Sequence, residues 1–399
     1  MAGSWLLGTD AHPGGAGADG NAGSRPTAVL IGVHGESGQD PQRSLDELAR
    51  LAETDGLDVA ERVLQVKEHP DPATYLGAGE AQEVAAVVRD RGAGVVIADD
   101  ELSPAQARNL EGMVDARVVD RTALILDIFA EHARSSEGKA RVELAQLAYQ
   151  LPRLRGQGTE LSRVGGGRVA GGAGIGVRGP GEMQLEQQRR TLRRRMILLR
   201  RQLAQIARRR ARTRSRRRTN RVPAVALAGY TNAGKSALLN RLTGADVVVQ
   251  DLLFATLDPT VRRVAYPDGR TYPLTDTVGF VRYLPHQLVD AFRSTLEELS
   301  AADLILHVVD AAAADAIDQI TTVREVLDEI DARRRPELLV LNKIDRANPL
   351  ELAALRSCYP DAVAVSALTG EGIDDLRTAV RSALERERRP FDGVPASAS

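Results

Sequence analysis

One cysteine, Cys358, stands in a sequence of 399 residues, which excludes an internal disulfide framework and a cysteine-built zinc site. Nowhere is there a window approaching the ~18 uninterrupted apolar residues that a membrane span needs. Residues 1–26 lack the basic start and apolar run of a signal peptide; they are Gly/Ala-rich and expected to be a disordered leader. The chain therefore reads as cytoplasmic. Aromatic residues make up only 3% of the sequence. Charge of one sign is missing locally: from Arg189 to Arg221 there are sixteen arginines and neither a carboxylate nor a lysine. The formal net charge is −1, so the rest of the chain carries −17. An acidic protein with one intensely basic segment implies a polyanionic partner at a defined place.

What is present falls into regions. Ala28–Gly32 reads as a short apolar strand and Ser44–Ala52 as an amphipathic helix. Leu64–Glu68 reads as a second strand, Gly77–Arg91 as a helix, and Val95–Asp99 as a third strand. Ser103 followed by Pro104 makes a helix start, and Arg117–Asp120 a last strand. This alternation predicts a parallel α/β domain over residues 27–122. A helical pattern from Thr122 to about Arg155 resumes from Glu182 to about Arg218, around a Gly-rich stretch at 164–181. Residues 123–221 are thus expected to form a helical, coiled-coil-like arm. Pro223 breaks the pattern, and strands alternate with helices again across a G domain at 222–388, followed by a tail at 389–399.

Val225–Ala228 is an apolar strand that runs into GYTNAGKS, comprising Gly229, Tyr230, Thr231, Asn232, Ala233, Gly234, Lys235 and Ser236. This is G-x-x-x-x-G-K-S in the strand–loop–helix setting it requires. Backbone N–H groups of such a loop surround phosphates, and the following helix adds its positive end. Lys235 supplies a cation to the β- and γ-phosphates, and the Ser236 hydroxyl is placed to ligate Mg²⁺. Downstream, Asp276, Thr277, Val278 and Gly279 form D-x-x-G after an apolar run. Asp276 can hold the Mg²⁺ shell and the Gly279 amide can reach the γ-phosphate. Asn342, Lys343, Ile344 and Asp345 form N-K-x-D after another strand. A carboxylate at Asp345 accepts from guanine N1–H and the 2-amino group; adenine lacks the latter and leaves a buried acceptor unpaired. The strand ending at Ser366 and Ala367 can offer backbone contacts to the base edge. Four such elements in order, each at a strand's C-terminal end, predict a GTP/GDP site. A switch hydroxyl must also reach Mg²⁺, and Thr256 and Thr260 both qualify. After D-x-x-G, many GTPases orient water with a Gln; here Phe280 can neither donate nor accept, which predicts slow intrinsic hydrolysis.

These motifs, together with DDELSPAQARNLE (Asp99–Glu111), VVDRTALILDIFAEHA (Val118–Ala133), EGKARVELAQLAYQLPRL (Glu137–Leu154) and GPGEMQLEQQRR (Gly179–Arg190), closely resemble the HflX family of ribosome-associated GTPases. The resemblance extends over residues 28–388 and includes FATLDPT, DTVGFVRYLPHQLVDAFRSTLEE, NKID and SALTGEG. It implies an N-terminal α/β domain, a helical arm and a Ras-like P-loop G domain. It also implies binding to the large ribosomal subunit and its rRNA, with some members splitting stalled ribosomes under stress. Carried onto this chain, FATLD points to Thr256 as the second Mg²⁺ ligand, and to Phe254, Ala255, Leu257 and Asp258 beside the nucleotide. SAL adds Leu368 to the base loop. Lys235, Thr256, Asp276 and Gly279 become the hydrolytic set. Departures from the family pattern are Ala237 for a hydroxyl residue, Met183 in a GPGET-type motif, Gln188 for an Asp, and Tyr283 in switch II.

The arginine run reads either as the solvated face of a helix or as an rRNA surface. Ordinary exposed helices mix signs to gain i, i+4 pairs, and this one does not; with few aromatics, phosphate and shape contacts outweigh base stacking. The Gly-rich stretch has no preceding strand, so it is read as a loop that orders on RNA rather than a dinucleotide site. In the N-terminal domain His34, Glu36 and Asp99 read as structural residues of a binding module. The chain is expected to be a monomer. Two competing functions remain open: a GTPase of subunit assembly or other structured RNA, and an ATP-driven enzyme with a second site in the N-terminal domain.

Overall fold

The computed structural model describes residues 25–35, 40–154, 180–219, 222–244, 253–254, 256–265, 269, 271–282 and 296–388. The described residues divide into two compact units, one up to Gln205 and one from Ile206 on.

In the first unit, β1 (Thr27–His34), β2 (Asp58–Val66), β3 (Val95–Ala98) and β4 (Arg117–Asp120) form an all-parallel sheet in the order β2-β1-β3-β4. Parallel neighbours require crossovers, supplied by α1 (Pro41–Thr54), α2 (Ala78–Arg91) and α3 (Pro104–Val114). Their starts have local causes. Asp40 accepts from the Gln42 amide ahead of Pro41. Ser103 and Gln106 form a reciprocal capping box, with Pro104 at the first helical position. One sheet face packs Val29, Ile31, Val96 and Ala98 against Val84 and Val88 of α2 and Leu110 and Val114 of α3. Helix α4 (Arg121–His132) shares the other face with α1.

Two elements differ from expectation. The strand expected at Leu64–Glu68 begins six residues earlier, at Asp58. It is an edge strand with Asp58, Glu61 and Arg62 along it, and charged edges of this kind discourage pairing with other chains while hiding the apolar alternation. The helix expected without interruption from Thr122 is two helices, α4 and α5 (Ser136–Arg153). Ser135 makes the break: its Oγ accepts from the Gly138 amide at 2.8 Å and starts α5 afresh.

Helix α6 (Pro180–Thr219) runs 40 residues without a break, about 60 Å at 1.5 Å per residue. Ala140 and Leu147 of α5 pack on Met196, Leu199 and Leu203 of α6. Beside them Arg195 grips Glu143 with Nε–Oε1 2.5 Å and Nη2–Oε2 2.7 Å. Most of the Gly-rich stretch expected between them lies outside the described residues.

In the second unit six strands run in the order β10-β9-β8-β5-β7-β6. They are β5 (Val225–Gly229), β6 (Thr260–Ala265), β7 (Thr271–Asp276), β8 (Leu304–Asp310), β9 (Glu337–Asn342) and β10 (Val363–Ala364). All pairs are parallel except β6 with β7. Helices α7 (Lys235–Thr243) and α10 (Ile373–Arg388) cover one face through Leu238, Leu239, Leu242, Leu376 and Val380. Helices α8 (Ala316–Glu329) and α9 (Pro349–Cys358) cover the other through Ile320 and Leu355. Strand order reverses at β5, whose neighbours β7 and β8 lie on opposite sides. The crevice at the strand C-termini there is where open α/β sheets bind ligands. Among the described residues no helix is long and apolar enough to cross a membrane.

Candidate nucleotide site

The chain leaves β5 at Gly229, turns through Tyr230–Gly234 and enters α7 at Lys235. Two backbone contacts pin this loop to the D-x-x-G segment: Thr231 N donates to the Phe280 carbonyl at 2.7 Å, and Phe280 N donates to Gly229 O at 3.1 Å. The approach is close enough that a Cβ on Gly279 would stand 2.7 Å from Thr231 Cα. Gly234 is left-handed at φ 90°, and a Cβ there would run into Asn342 Nδ2. Asn232 is also left-handed, at φ 59°. The loop is thus held open as a curve of amides leading into a helix N-terminus, the geometry that receives anions.

Lys235 is buried, and its Nζ donates to the carbonyls of Gly229 at 3.0 Å and Tyr230 at 2.7 Å. Burial pushes its pKa down to about 8; Asp276 pulls it back up and Lys343 adds to the lowering. Ser236 Oγ lies 2.6 Å from Asp276 Oδ2 and 2.9 Å from Thr256 Oγ1. Of the two threonines, Thr256 joins this cluster, while Thr260 begins β6, opposite Asp276 in the strand pairing. Burial raises the Asp276 pKa, and its Oδ1 is buried with no hydrogen-bond partner among the described residues. An orphaned carboxylate oxygen beside two hydroxyls is an oxygen-only donor set of the kind that suits a hard divalent cation. Thr277 is structural, its Oγ1 donating to Leu227 O at 2.5 Å. Phe254, Leu257 and Val278 are buried near these groups in the sequence, with Asp258 partly exposed; Ala255 lies outside the described residues.

At the other end, the N-K-x-D and S-A-L segments are laced together. Asn342 Nδ2 donates to Ala233 O at 2.9 Å, and its Oδ1 accepts from the Ala367 amide at 3.0 Å. Ser366 Oγ donates to Asp345 Oδ1 at 2.5 Å, orienting an exposed carboxylate. Lys343, left-handed at φ 62°, donates from Nζ to Asp310 Oδ2 at 2.7 Å. Ile344 N donates to Val365 O at 3.3 Å, and Leu368 projects outward.

Sequence reasoning missed three supports. Arg241 of α7 donates to the carbonyls of Ala367 and Leu368. Arg282 donates its backbone N–H to Tyr230 Oη at 2.8 Å and pairs through Nη2 with Asp315 at 2.7 Å. In the first unit, buried Arg121 binds Asp99 at 2.9 Å and Glu47, while Ser44 Oγ donates to Asp99 Oδ2 at 2.5 Å and His34 stands 3.3 Å from it. His34 and Asp99 thus sit in a buried polar network; Glu36 lies outside the described residues. A lone arginine carries no local signal of its partner, so none of these could be read from spacing.

Three family models match in order: GTP-binding GTPase N-terminal over residues 42–130, GTP-binding GTPase Middle Region over 132–217, and 50S ribosome-binding GTPase over 224–343. The chain is 46% identical to GTPase HflX of Lacrimispora saccharolytica over 361 residues, 90% of this chain and 83% of that protein. It is 45% identical to GTPase HflX of Escherichia coli over 362 residues, again 90% and 83%. Among solved structures, SsGBP in complex with GDP aligns with 90% of this chain and 99% of its own, at 26% identity and a TM-score of 0.48. With a P-loop, D-x-x-G, N-K-x-D and S-A-L gathered at one sheet edge and relatives of this identity along nearly the whole chain, the protein belongs to the HflX family of GTPases, enzymes that bind and hydrolyse GTP.

Proposed function

We propose that this GTPase is a nucleotide-controlled switch acting on the large ribosomal subunit and its rRNA, releasing or splitting ribosomes stalled under stress. The observation that carries the reading is α6. Arg193, Arg194, Arg200, Arg201, Arg208, Arg209 and Arg212 are all exposed on one unbroken helix. Cations along one helix repel each other unless a polyanion neutralises them, and rRNA phosphates release counterions on contact. Other arginines of the helix are paired, Arg195 with Glu143 and both Arg189 and Arg190 with Glu186. The match of residues 224–343 to a model described as 50S ribosome-binding GTPase points the same way.

Within the site, the loop amides and Lys235 take the phosphates, and the Gly279 amide meets the γ-phosphate. Ser236 and Thr256 would hold Mg²⁺, with Asp276 Oδ1 receiving a water of its shell. Bound there, the ion would neutralise charge developing between the β- and γ-phosphates. Asp345, fixed by Ser366, reads guanine N1–H and the 2-amino group, and the Ala367–Leu368 backbone meets O6. Phe280 occupies the place after D-x-x-G with a buried ring that cannot orient water. Intrinsic hydrolysis is therefore slow, and the missing group comes with the ribosome. The test is single-turnover GTP hydrolysis with and without purified large subunits. Stimulation by one to several orders of magnitude is expected; equal rates would sink the proposal.

A further inference from the structure

Helix α7 carries the phosphate lysine and Ser236 at its start and Arg241 near its end. Arg241 Nε donates to Ala367 O at 2.9 Å, and Nη2 donates to the next carbonyl, Leu368 O. The rest of the loop is closed by other bonds. Ser366 N donates to Glu371 O, Gly370 N to Ser366 O, and Thr369 N to Ser366 Oγ. Those bonds hold the ends of the loop and leave the two carbonyls in its middle to the guanidinium. Ala367 is also held by burial and by its amide on Asn342 Oδ1, but packing does not hold the next residue, whose Leu368 side chain is 76% exposed.

We propose that Arg241 is a positioning residue for guanine recognition: its two-pronged grip on the Ala367 and Leu368 carbonyls aims the Leu368 backbone N–H at the base O6. The proposal rests on the assignment of that loop to the guanine edge. The physical reason is planarity. A trans peptide places C=O and N–H on opposite sides of one rigid plane. Pinning the Ala367 carbonyl toward Arg241 therefore points the Leu368 N–H the other way. Two adjacent carbonyls suit the fixed fork of a guanidinium, whereas a lysine ammonium offers a single mobile point charge. The same helix would then hold phosphate at its start and base geometry near its end, so that a change at one is felt by the other.

The test compares dissociation constants of GDP, 6-thio-GDP and IDP for the full-length wild type, R241A and R241K. Sulfur is a poorer acceptor than O6, so the wild type is expected to prefer GDP over 6-thio-GDP. R241A should weaken GDP about tenfold and 6-thio-GDP much less, collapsing that preference, with R241K restoring only part of it. The preference for GDP over IDP, which lacks the 2-amino group facing Asp345, should survive in R241A. Equal weakening of GDP and 6-thio-GDP, with the preference intact, would overturn the positioning role and leave the loop assignment standing. A wild type indifferent to sulfur at position 6 would overturn the loop assignment and the proposal with it. Leu238, Leu239 and Leu242 keep α7 in the core, so R241A should fold, and its thermal melt, expected to match the wild type, is the check.

Discussion

Asn342 donates from Nδ2 to the Ala233 carbonyl at 2.9 Å, and through Oδ1 the same side chain accepts from the Ala367 amide at 3.0 Å. One buried amide thus ties the phosphate loop to the base loop, using both of its chemical ends. Asn342→Asp keeps the shape and removes the donor, setting a carboxylate oxygen against the Ala233 carbonyl. Leaving a buried carbonyl unpaired beside a charge costs about 1–3 kcal/mol. GDP and GTP affinities should each fall by about tenfold or more, measured by the release rate of a fluorescent nucleotide. Unchanged release rates would show that the tie is not needed.

Gly279→Ala places a methyl 2.7 Å from Thr231 Cα and 2.8 Å from its Cγ2. Backbone cannot yield as a flexible side chain does, so the Thr231–Phe280 bond at 2.7 Å must open. The expected result is a fall in GTP turnover of roughly a hundredfold, with GDP binding within a few fold of wild type. Normal turnover would remove Gly279 from the hydrolytic set.

Lys235 gives the site a pH dependence. Burial holds its pKa at about 8 in the free protein, and a bound phosphate raises it, because the opposite charge favours the ammonium. Affinity is therefore full below pH 8 and lost as pH rises above it, with proton uptake on binding. Calorimetry of GDP binding at pH 8.5, in two buffers of different ionisation enthalpy, should show uptake of about three-quarters of a proton. No difference between the buffers would contradict a depressed lysine.

Asp55 is a second titration, in the first unit. It follows the C-terminus of α1, where the helix end disfavours negative charge. Both its carboxylate oxygens are buried and lack a hydrogen-bond partner among the described residues. Burial first, then the charges of Asp127 and Glu131, push its pKa up to about 8. A folded pKa above the unfolded value means that its contribution is fully present below about pH 4. It is lost as pH rises toward 8. Asp55→Asn mimics the neutral acid and should stabilise the first unit by about 2 kcal/mol at pH 7.5, seen as a raised melting temperature. The gain should vanish near pH 4; a gain independent of pH would point to some other cause.

Much of the site was legible because its parts are local. A glycine loop between a strand and a helix, and polar tetrads at strand ends, announce themselves within eight residues. What stayed hidden depends on distance along the chain. Arg241 meets Ala367 and Leu368 from more than a hundred positions away, and Arg121 meets Asp99 and Glu47 across separate elements. The fold was read well where apolar runs were buried on both faces, as at Val95–Ala98. It was read less well at β2, whose half-exposed edge dilutes the pattern, and at Ser135, whose cap interrupts a helical periodicity that otherwise continues.

Under the proposed function, GTP commits this enzyme to the large ribosomal subunit. The decisive measurement is sedimentation through a sucrose gradient with purified ribosomes, in GDP and in a non-hydrolysable GTP analogue. Co-migration with the large subunit in the analogue and release in GDP is the expected result. Absence from the large subunit in both states would contradict it, leaving a GTPase whose arginine helix serves another RNA.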